Sequence, residues 1–383
     1  MLNYDLVVIG AGIHGAGVAQ AAAAQGYKVL ILEQTGIASG TSHCSSKLIH
    51  GGLRYLETAQ FGLVRECLRE RQILLTIAPD LVQLQPFYIP VYRQTTRSPW
   101  QLRTGLLLYQ VLGGGVFHTV PRTQWQGLDG LQTQDLRAVL QYWDAQTDDA
   151  ALTRAVIHSA QTLGATLILP APVTAIELRA TQAEVVYEQA GQTHTVRASA
   201  VVNAAGPWVN QVLARVRPEP AVLPIHWVQG THLLLDNTTI QQRYYVEAPQ
   251  DRRAVFVLAY QGKVLLGTTE TRYQGDLQTI SPQPEEVSYL QAVFQHYFPQ
   301  QLAVMVDAFA GLRVLPAGQG REFSKPRDTR FQLDRPQQPR LLSIYGGKLT
   351  AYRITAQRVM QQLSPSLPKP SRHLDTQQII LGR

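Results

Sequence analysis

Cysteine is scarce in this 383-residue chain: Cys44 and Cys67 stand alone, and they form neither a CxxC pair nor a metal-ligand cluster. That excludes a disulfide framework and a cysteine zinc site, and it points to a reducing compartment. No run of about 18 apolar residues occurs, so a membrane-spanning helix is excluded. The longest apolar stretch, residues 105–117, is short and broken by glycines. No cationic segment followed by an apolar core opens the chain, and the first strand starts almost at once at Asp5. A secretory signal is therefore not expected. The expected location is cytoplasmic, free or peripheral on the inner face of the plasma membrane. Lysine is also rare, six residues against 28 arginines. Repeats and low-complexity tracts are missing altogether.

What is present is ordinary globular material. The hydrophobic fraction of 45% excludes disorder. At about 150 residues per domain the length suggests two to three domains. A formal net charge of +7 favours anionic partners: a phosphorylated metabolite, an acidic membrane face or nucleic acid. Arginine's planar fork suits bidentate grips on phosphate and carboxylate, although codon bias would produce the same excess. The arginines are dispersed and no basic-aromatic motif occurs, so nucleic acid is not an expected partner.

Hydrophobic patterning places a βαβ unit at the start. Residues 5–9 are a continuous apolar run of strand length, as a strand buried on both faces requires. A helix of small residues follows over 16–25, with Gly26 at its end where a left-handed residue is wanted, and 29–32 is the second strand. Helical spacing marks 61–77, 150–163 and 349–363, and strands are expected at 166–169, 193–203 and 341–345. Residues 79–143 read as irregular, 220–335 as strands of a mixed or antiparallel sheet, and the tail from Ser364 as Pro-rich and poorly ordered. The expected organisation is a discontinuous nucleotide-binding domain (1–80, 145–215 and 336–365), a substrate or cap domain (81–144 and 216–335) and a tail (366–383).

Gly10-x-Gly12-x-x-Gly15 follows the buried strand and opens the helix, and Glu33 stands 18 positions after Gly15. In that context the motif is a dinucleotide fingerprint. The first glycine permits the turn, the second lets backbone approach a pyrophosphate, and the third allows helix–sheet packing, with the helix dipole facing the phosphates. Glu33 is placed to accept from ribose hydroxyls. The fingerprint alone leaves NAD and FAD open. Residues 201–206, a strand ending in small residues, and 343–350, a strand, a Gly-Gly turn and a helix start, favour FAD.

Further motifs carry a resemblance. Ser45-Ser-Lys-Leu-Ile-His-Gly-Gly-Leu-Arg-Tyr-Leu-Glu57, Asn203-Ala-Ala-Gly-Pro-Trp208 and Gly346-Gly-Lys-Leu-Thr350 resemble the signatures of FAD-dependent glycerol-3-phosphate dehydrogenases. Gly230-Thr-His232, Gly267-Thr-Thr-Glu270 and Gly311-Leu-Arg313 match in order and spacing, and the resemblance runs from residue 3 to about 363. It departs at Glu270, where the family usually has Asp, and at Ala204-Ala-Gly206, often Ala-Thr-Gly. Most members also continue into a helical C-terminal domain, so the likeness is to a short form without it.

The resemblance implies an α/β fold: a Rossmann-like FAD domain of the glutathione-reductase or D-amino-acid-oxidase type, with an inserted mixed or antiparallel substrate sheet. It implies oxidation of glycerol 3-phosphate to dihydroxyacetone phosphate, electrons passing to a quinone or similar acceptor. With the fingerprint, it assigns to non-covalent FAD the residues Gly10, Gly12, Ile13, His14, Gly15, Glu33, Gln34, Thr41, Ser42, Ser45, Ser46, Lys47, Leu48 and His50. Ala205, Gly206, Trp208, Gly347, Lys348, Leu349 and Thr350 complete that set, and His43 and Cys44 lie in the same flavin-contacting loop. Arg54 and Lys348 fall to the substrate phosphate, with His50, Tyr55 and Arg327 beside them. His232 is the expected base and Arg313 the stabiliser of the developing alkoxide. The alternatives are a related flavoenzyme acting on a hydroxy acid or amino acid, and a non-catalytic flavin-binding protein. Residues 97–109 combine Arg, Trp and an apolar helical face, which fits either an acidic bilayer surface or a packed cap helix.

Overall fold

The computed structural model describes residues 2–236, 238–317 and 329–382. In chain order the first half comprises β1 (Leu2–Ile9), α1 (Ile13–Ala24), β2 (Val29–Leu32), β3 (Leu48–Ile49), α2 (Phe61–Ile77), β4 (Val82–Tyr92), α3 (Pro99–Tyr109), β5 (His118–Thr119), β6 (Leu136–Thr147) and α4 (Asp149–Thr162). Next come β7 (Thr166–Ile168), β8 (Val173–Leu178), β9 (Ala183–Gln189), β10 (Gln192–Asn203), α5 (Val209–Leu213), β11 (Val216–Arg217), β12 (Ile225–Asp236), β13 (Arg243–Glu247) and β14 (Ala254–Tyr260). The chain closes with β15 (Lys263–Gly267), β16 (Thr271–Tyr273), α6 (Pro284–Tyr297), β17 (Val304–Pro316), β18 (Arg330–Leu333), β19 (Leu341–Tyr345) and α7 (Tyr352–Leu363).

Two sheets organise these elements. In the first, β7, β2, β1 and β10 run parallel side by side, and β19 pairs with the last residues of β10. The first half of β10 instead carries the antiparallel ribbon of β9 and β8. The apolar run of β1 is fully buried from Leu6 to Ile9, as expected for a strand covered on both faces. Helices α1, α4 and α7 share one core on one side of this layer. α1 is small on every side because it is buried on nearly every side; a Cβ at Gly17 would lie 2.7 Å from the Tyr352 ring of α7.

The second sheet has the order β16-β12-β15-β14-β13-β4-β6-β3, with β17 lying along β12 and β5 beside β6. Its pairings are antiparallel apart from β13 against β4. One face packs on α6 through Leu290, Val293, Phe294 and Tyr297, the other on Val64 and Leu68 of α2 and Leu106 and Tyr109 of α3.

Several expectations are corrected here. Residues 79–143 are not irregular: β4 and β6 pair over their whole lengths and form a main part of the second sheet. The expected domain boundaries also move. β6 continues to Thr147, β3 belongs to the second sheet, and β18 pairs with β19 in the first. The tail is not loose. Arg372 donates to the carbonyls of Ala23 and Leu163, Leu374 N–H donates to Ala24 O at 3.1 Å, and Leu381 is buried. These contacts satisfy carbonyls at the ends of α1 and α4, where helical partners run out.

Candidate active site

The loops at the C-terminal ends of β1, β2, β10 and β19 open into one cavity of about 1270 Å³, the crevice position expected for ligands in an open parallel sheet. Its far wall is the second sheet. Gly10, with φ +104°, makes the turn after β1, and a Cβ there would stand 2.8 Å from Ala204 O. Gly15 does not line the cavity; a Cβ there would meet Gly10 O at 1.9 Å, so it serves close packing behind the turn.

Glu33 is buried at the end of β2, where one carboxylate oxygen accepts from Ala11 N (2.7 Å) and the other from Thr35 N (2.8 Å). Thr35 Oγ1 donates to that second oxygen as well, at 3.1 Å, and the lone pair left on the first can take a ribose hydroxyl. Ser42 lies over the start of α1 and accepts the Ile13 N–H at 2.9 Å. His14 also faces the cavity; burial pushes its pKa down to about 4, and its Nδ1 has no hydrogen-bond partner.

The loop from Thr41 to His50 joins the two sheets. Thr41 Oγ1 donates to Leu312 O of β17 at 2.7 Å, and the Ser45 N–H and hydroxyl both donate to the buried Asp149 carboxylate of α4. The resemblance assigns Lys47 to the cofactor, but its side chain does not line the cavity: its ammonium pairs with Asp149 at 2.5 Å. Cys44 does line it, with a thiol pushed up to about 12 by burial and the Asp149 charge, so little thiolate exists for covalent attachment.

His232 is a second correction. The alternation of β12 turns it inward, 1% exposed, stacked on Phe309 and outside the cavity lining. Its Nε2 lies 2.9 Å from Ser46 Oγ, and Ser46 is the residue that reaches the cavity. Burial, with Arg313 and Lys47 adding to it, pushes its pKa down to about 3. Its contact with the cavity lining runs through Ser46. His50, by contrast, lines the cavity directly, with its backbone N–H bonded to Thr350 Oγ1 at 3.1 Å.

Arg54 and Tyr55, on the short helical turn Leu53–Thr58, line the cavity with Lys348 and Arg313. The Lys348 ammonium stands 3.9 Å from the centre of the Tyr55 ring and is buried without a hydrogen-bond partner. Arg313 of β17 pairs with Glu270 at 2.8 Å, and Arg253 pairs with the other Glu270 oxygen at 3.2 Å. Arg253 was missed from sequence, where it is one arginine among 28 with no motif around it. Arg327 lies outside the described residues. The other assigned residues, Gly12, Gln34, Leu48, Ala205, Gly206, Trp208, Gly347, Leu349 and Thr350, all line the cavity.

These residues fit a dinucleotide coenzyme. The cavity exceeds the ~300–1,000 Å³ of ordinary small-molecule sites, the glycine turn leaves backbone uncovered, and His14 Nδ1 and Lys348 Nζ are buried polar atoms still needing partners.

Residues 5–353 match the model of the FAD dependent oxidoreductase family (DAO). The chain is 37% identical over 369 residues to a glycerol-3-phosphate dehydrogenase of Pseudomonas aeruginosa, covering 94% of this chain and 72% of that protein. It is 35% identical over 384 residues to a D-erythritol 1-phosphate dehydrogenase of Brucella abortus, covering 95% and 74%. Among solved structures, the glycerol-3-phosphate dehydrogenase of Bacillus halodurans complexed with FAD aligns over 99% of this chain and 68% of its own, at 28% identity and a TM-score of 0.78.

Proposed function

This chain belongs to the FAD dependent oxidoreductase family, and from that premise we propose that it oxidises sn-glycerol 3-phosphate to dihydroxyacetone phosphate. One observation carries the reading: the dinucleotide turn and the cations Arg54, Arg313 and Lys348 line the same cavity. A phosphomonoester concentrates nearly two negative charges on one group at neutral pH and needs several strong donors there, whereas each carboxylate of a hydroxy acid or amino acid carries one.

Bound FAD supplies acceptance of a hydride from the carbon that carries the reacting hydroxyl. The chain supplies the rest. Lys348 and Arg54 hold the phosphate, with Tyr55 against the Lys348 ammonium. Each charge-assisted hydrogen bond is worth ~1.5–3 kcal/mol, so two or three give millimolar to micromolar binding. Arg313 faces the alkoxide that develops as the hydroxyl proton leaves, its guanidinium aimed by Glu270. His50, which lines the cavity a few residues before Arg54 and Tyr55, takes that proton; His232 orients Ser46 from behind. Electrons then pass to a quinone or similar acceptor at an acidic membrane surface, a reading supported by the exposed Trp100 and Leu107 of α3.

Purified protein should be yellow, and anaerobic glycerol 3-phosphate should bleach it while lactate, 2-hydroxyglutarate and amino acids do not. D-Erythritol 1-phosphate belongs in the same assay, because the Glu270 carboxylate in the cavity wall can accept from a further substrate hydroxyl. A colourless protein that takes up no FAD, or a flavin bleached by a carboxylate substrate alone, would overturn the reading.

A further inference from the structure

Outside the cavity, the third residue of α6 is a buried carboxylate with an unusual number of donors. Glu286 is 5% exposed and does not line the cavity. One of its oxygens accepts from Thr269 Oγ1 (2.6 Å) and Thr271 Oγ1 (2.8 Å). The other accepts from Thr231 Oγ1 (2.6 Å), Gln229 Nε2 (2.6 Å) and Gln283 N (3.2 Å). Thr269 Oγ1 also accepts the Thr231 N–H at 2.9 Å, closing a network between β12 and the segment before β16.

The donors come in two flanking pairs. Gln229 and Thr231 stand on either side of Gly230, and Thr269 and Thr271 on either side of Glu270; Gly230 and Glu270 both line the cavity. Successive residues of extended chain point to opposite faces, so one carboxylate grips the back of two segments whose fronts form the cavity wall. At that front a Cβ on Gly230 would lie 3.2 Å from Arg313 Nη2 and 2.7 Å from Thr268 Oγ1, so the packing leaves little slack. Glu270 in turn sets Arg313 and Arg253.

We infer that Glu286 is a positioning residue for the proposed oxidation: it locks the Thr268–Thr271 segment against β12 so that Glu270 holds Arg313 at the reacting hydroxyl. The role rests on the function proposed above. Burial opposes its charge, but the side-chain donors outweigh that and keep the carboxyl below its ordinary value, so Glu286 serves as an ionised acceptor. Replacing it with Gln preserves shape and turns two acceptor positions into donors facing Thr269 and Thr271, whose hydroxyls can reverse.

A double-mutant cycle tests this on the holoenzyme. Glu286→Gln, Glu270→Gln and the double variant are compared by kcat per bound flavin with glycerol 3-phosphate, alongside flavin content and Tm. Glu286→Gln should keep its flavin and lose about tenfold in kcat, and the double variant should be no slower than Glu270→Gln alone, because coupled residues are non-additive. Thr271→Val, which removes one donor at an exposed position, should give a smaller loss that also vanishes in the Glu270→Gln background. Unchanged kcat per flavin in Glu286→Gln, or losses that multiply in the double variant, would overturn the role; if Glu286→Gln does not fold, the Thr271→Val cycle decides. Wild-type flavin that no polyol phosphate bleaches would overturn the functional reading and this role with it.

Discussion

Arg313 is where the residue-scale argument is sharpest. It lies on β17 of the second sheet, not on the glycine turn, and is held by Glu270. Arg313→Ala should therefore leave flavin bound while flavin reduction by glycerol 3-phosphate slows by ~10²–10³, the usual cost of removing one preorganised charge-stabilising donor. Anaerobic stopped-flow absorbance measures both; near-normal reduction would remove Arg313 from the mechanism. His232 shows the limit of reading residues from sequence. Its motif marked it, but which face of β12 it occupies, and hence its place behind Ser46, depends on strand pairing with Gly267 and Phe309.

At the scale of elements, the turn bearing Arg54 and Tyr55 depends on a buried network contributed by α2, α3 and β6. Gly51 N–H donates to Tyr109 Oη at 3.0 Å, Tyr109 donates to Asp144 at 2.9 Å, and Asp144 pairs with Arg71 at 2.7 Å. Burial raises the Tyr109 phenol far above its ordinary pKa, so it remains a donor to Asp144. Tyr109→Phe removes the 3.0 Å acceptor of the Gly51 N–H and one donor to Asp144, which keeps Arg71, and should cost about 1–3 kcal/mol of stability. It should also raise KM for the phosphate substrate more than it lowers kcat, since it loosens the Arg54 turn rather than the reacting end. Thermal denaturation and steady-state kinetics check the two effects; an unchanged KM would separate the network from phosphate binding. Elements with local signals were legible: β1, α1 and β2 follow from an apolar run, a small-residue helix and Gly26 at φ +81°. β4 was not. Pro86 and Pro90 interrupt its pattern, and it becomes a strand through pairing with β6, whose Val139 and Trp143 stand opposite those prolines.

Across the whole molecule, α3 and the turn after it present Trp100 and Val111, each 75% exposed, with Leu107 and Val116, and Arg103 lies over the Trp100 ring. An apolar face with cationic company suits an anionic bilayer surface. Among the described residues no helix is long and apolar enough to cross a membrane. The holoenzyme should co-sediment with phosphatidylglycerol-containing vesicles at low salt, and Leu107→Asp with Val111→Asp should abolish this without altering flavin reduction. Failure of the wild type to sediment would retire the membrane reading. The coenzyme class and the reaction were written in the chain itself, because a pyrophosphate-binding turn and the motifs around it are short, contiguous and tied to chemistry through neighbouring residues. That His50 lines the cavity while His232 lies behind Ser46, that Lys47 turns to Asp149, that Arg253 pairs with Glu270, and that Glu286 gathers the threonines behind it were decided by tertiary structure alone. Those facts depend on two sheets facing one another across a cavity, and the side of a strand that faces it is set by partners dozens to hundreds of residues away.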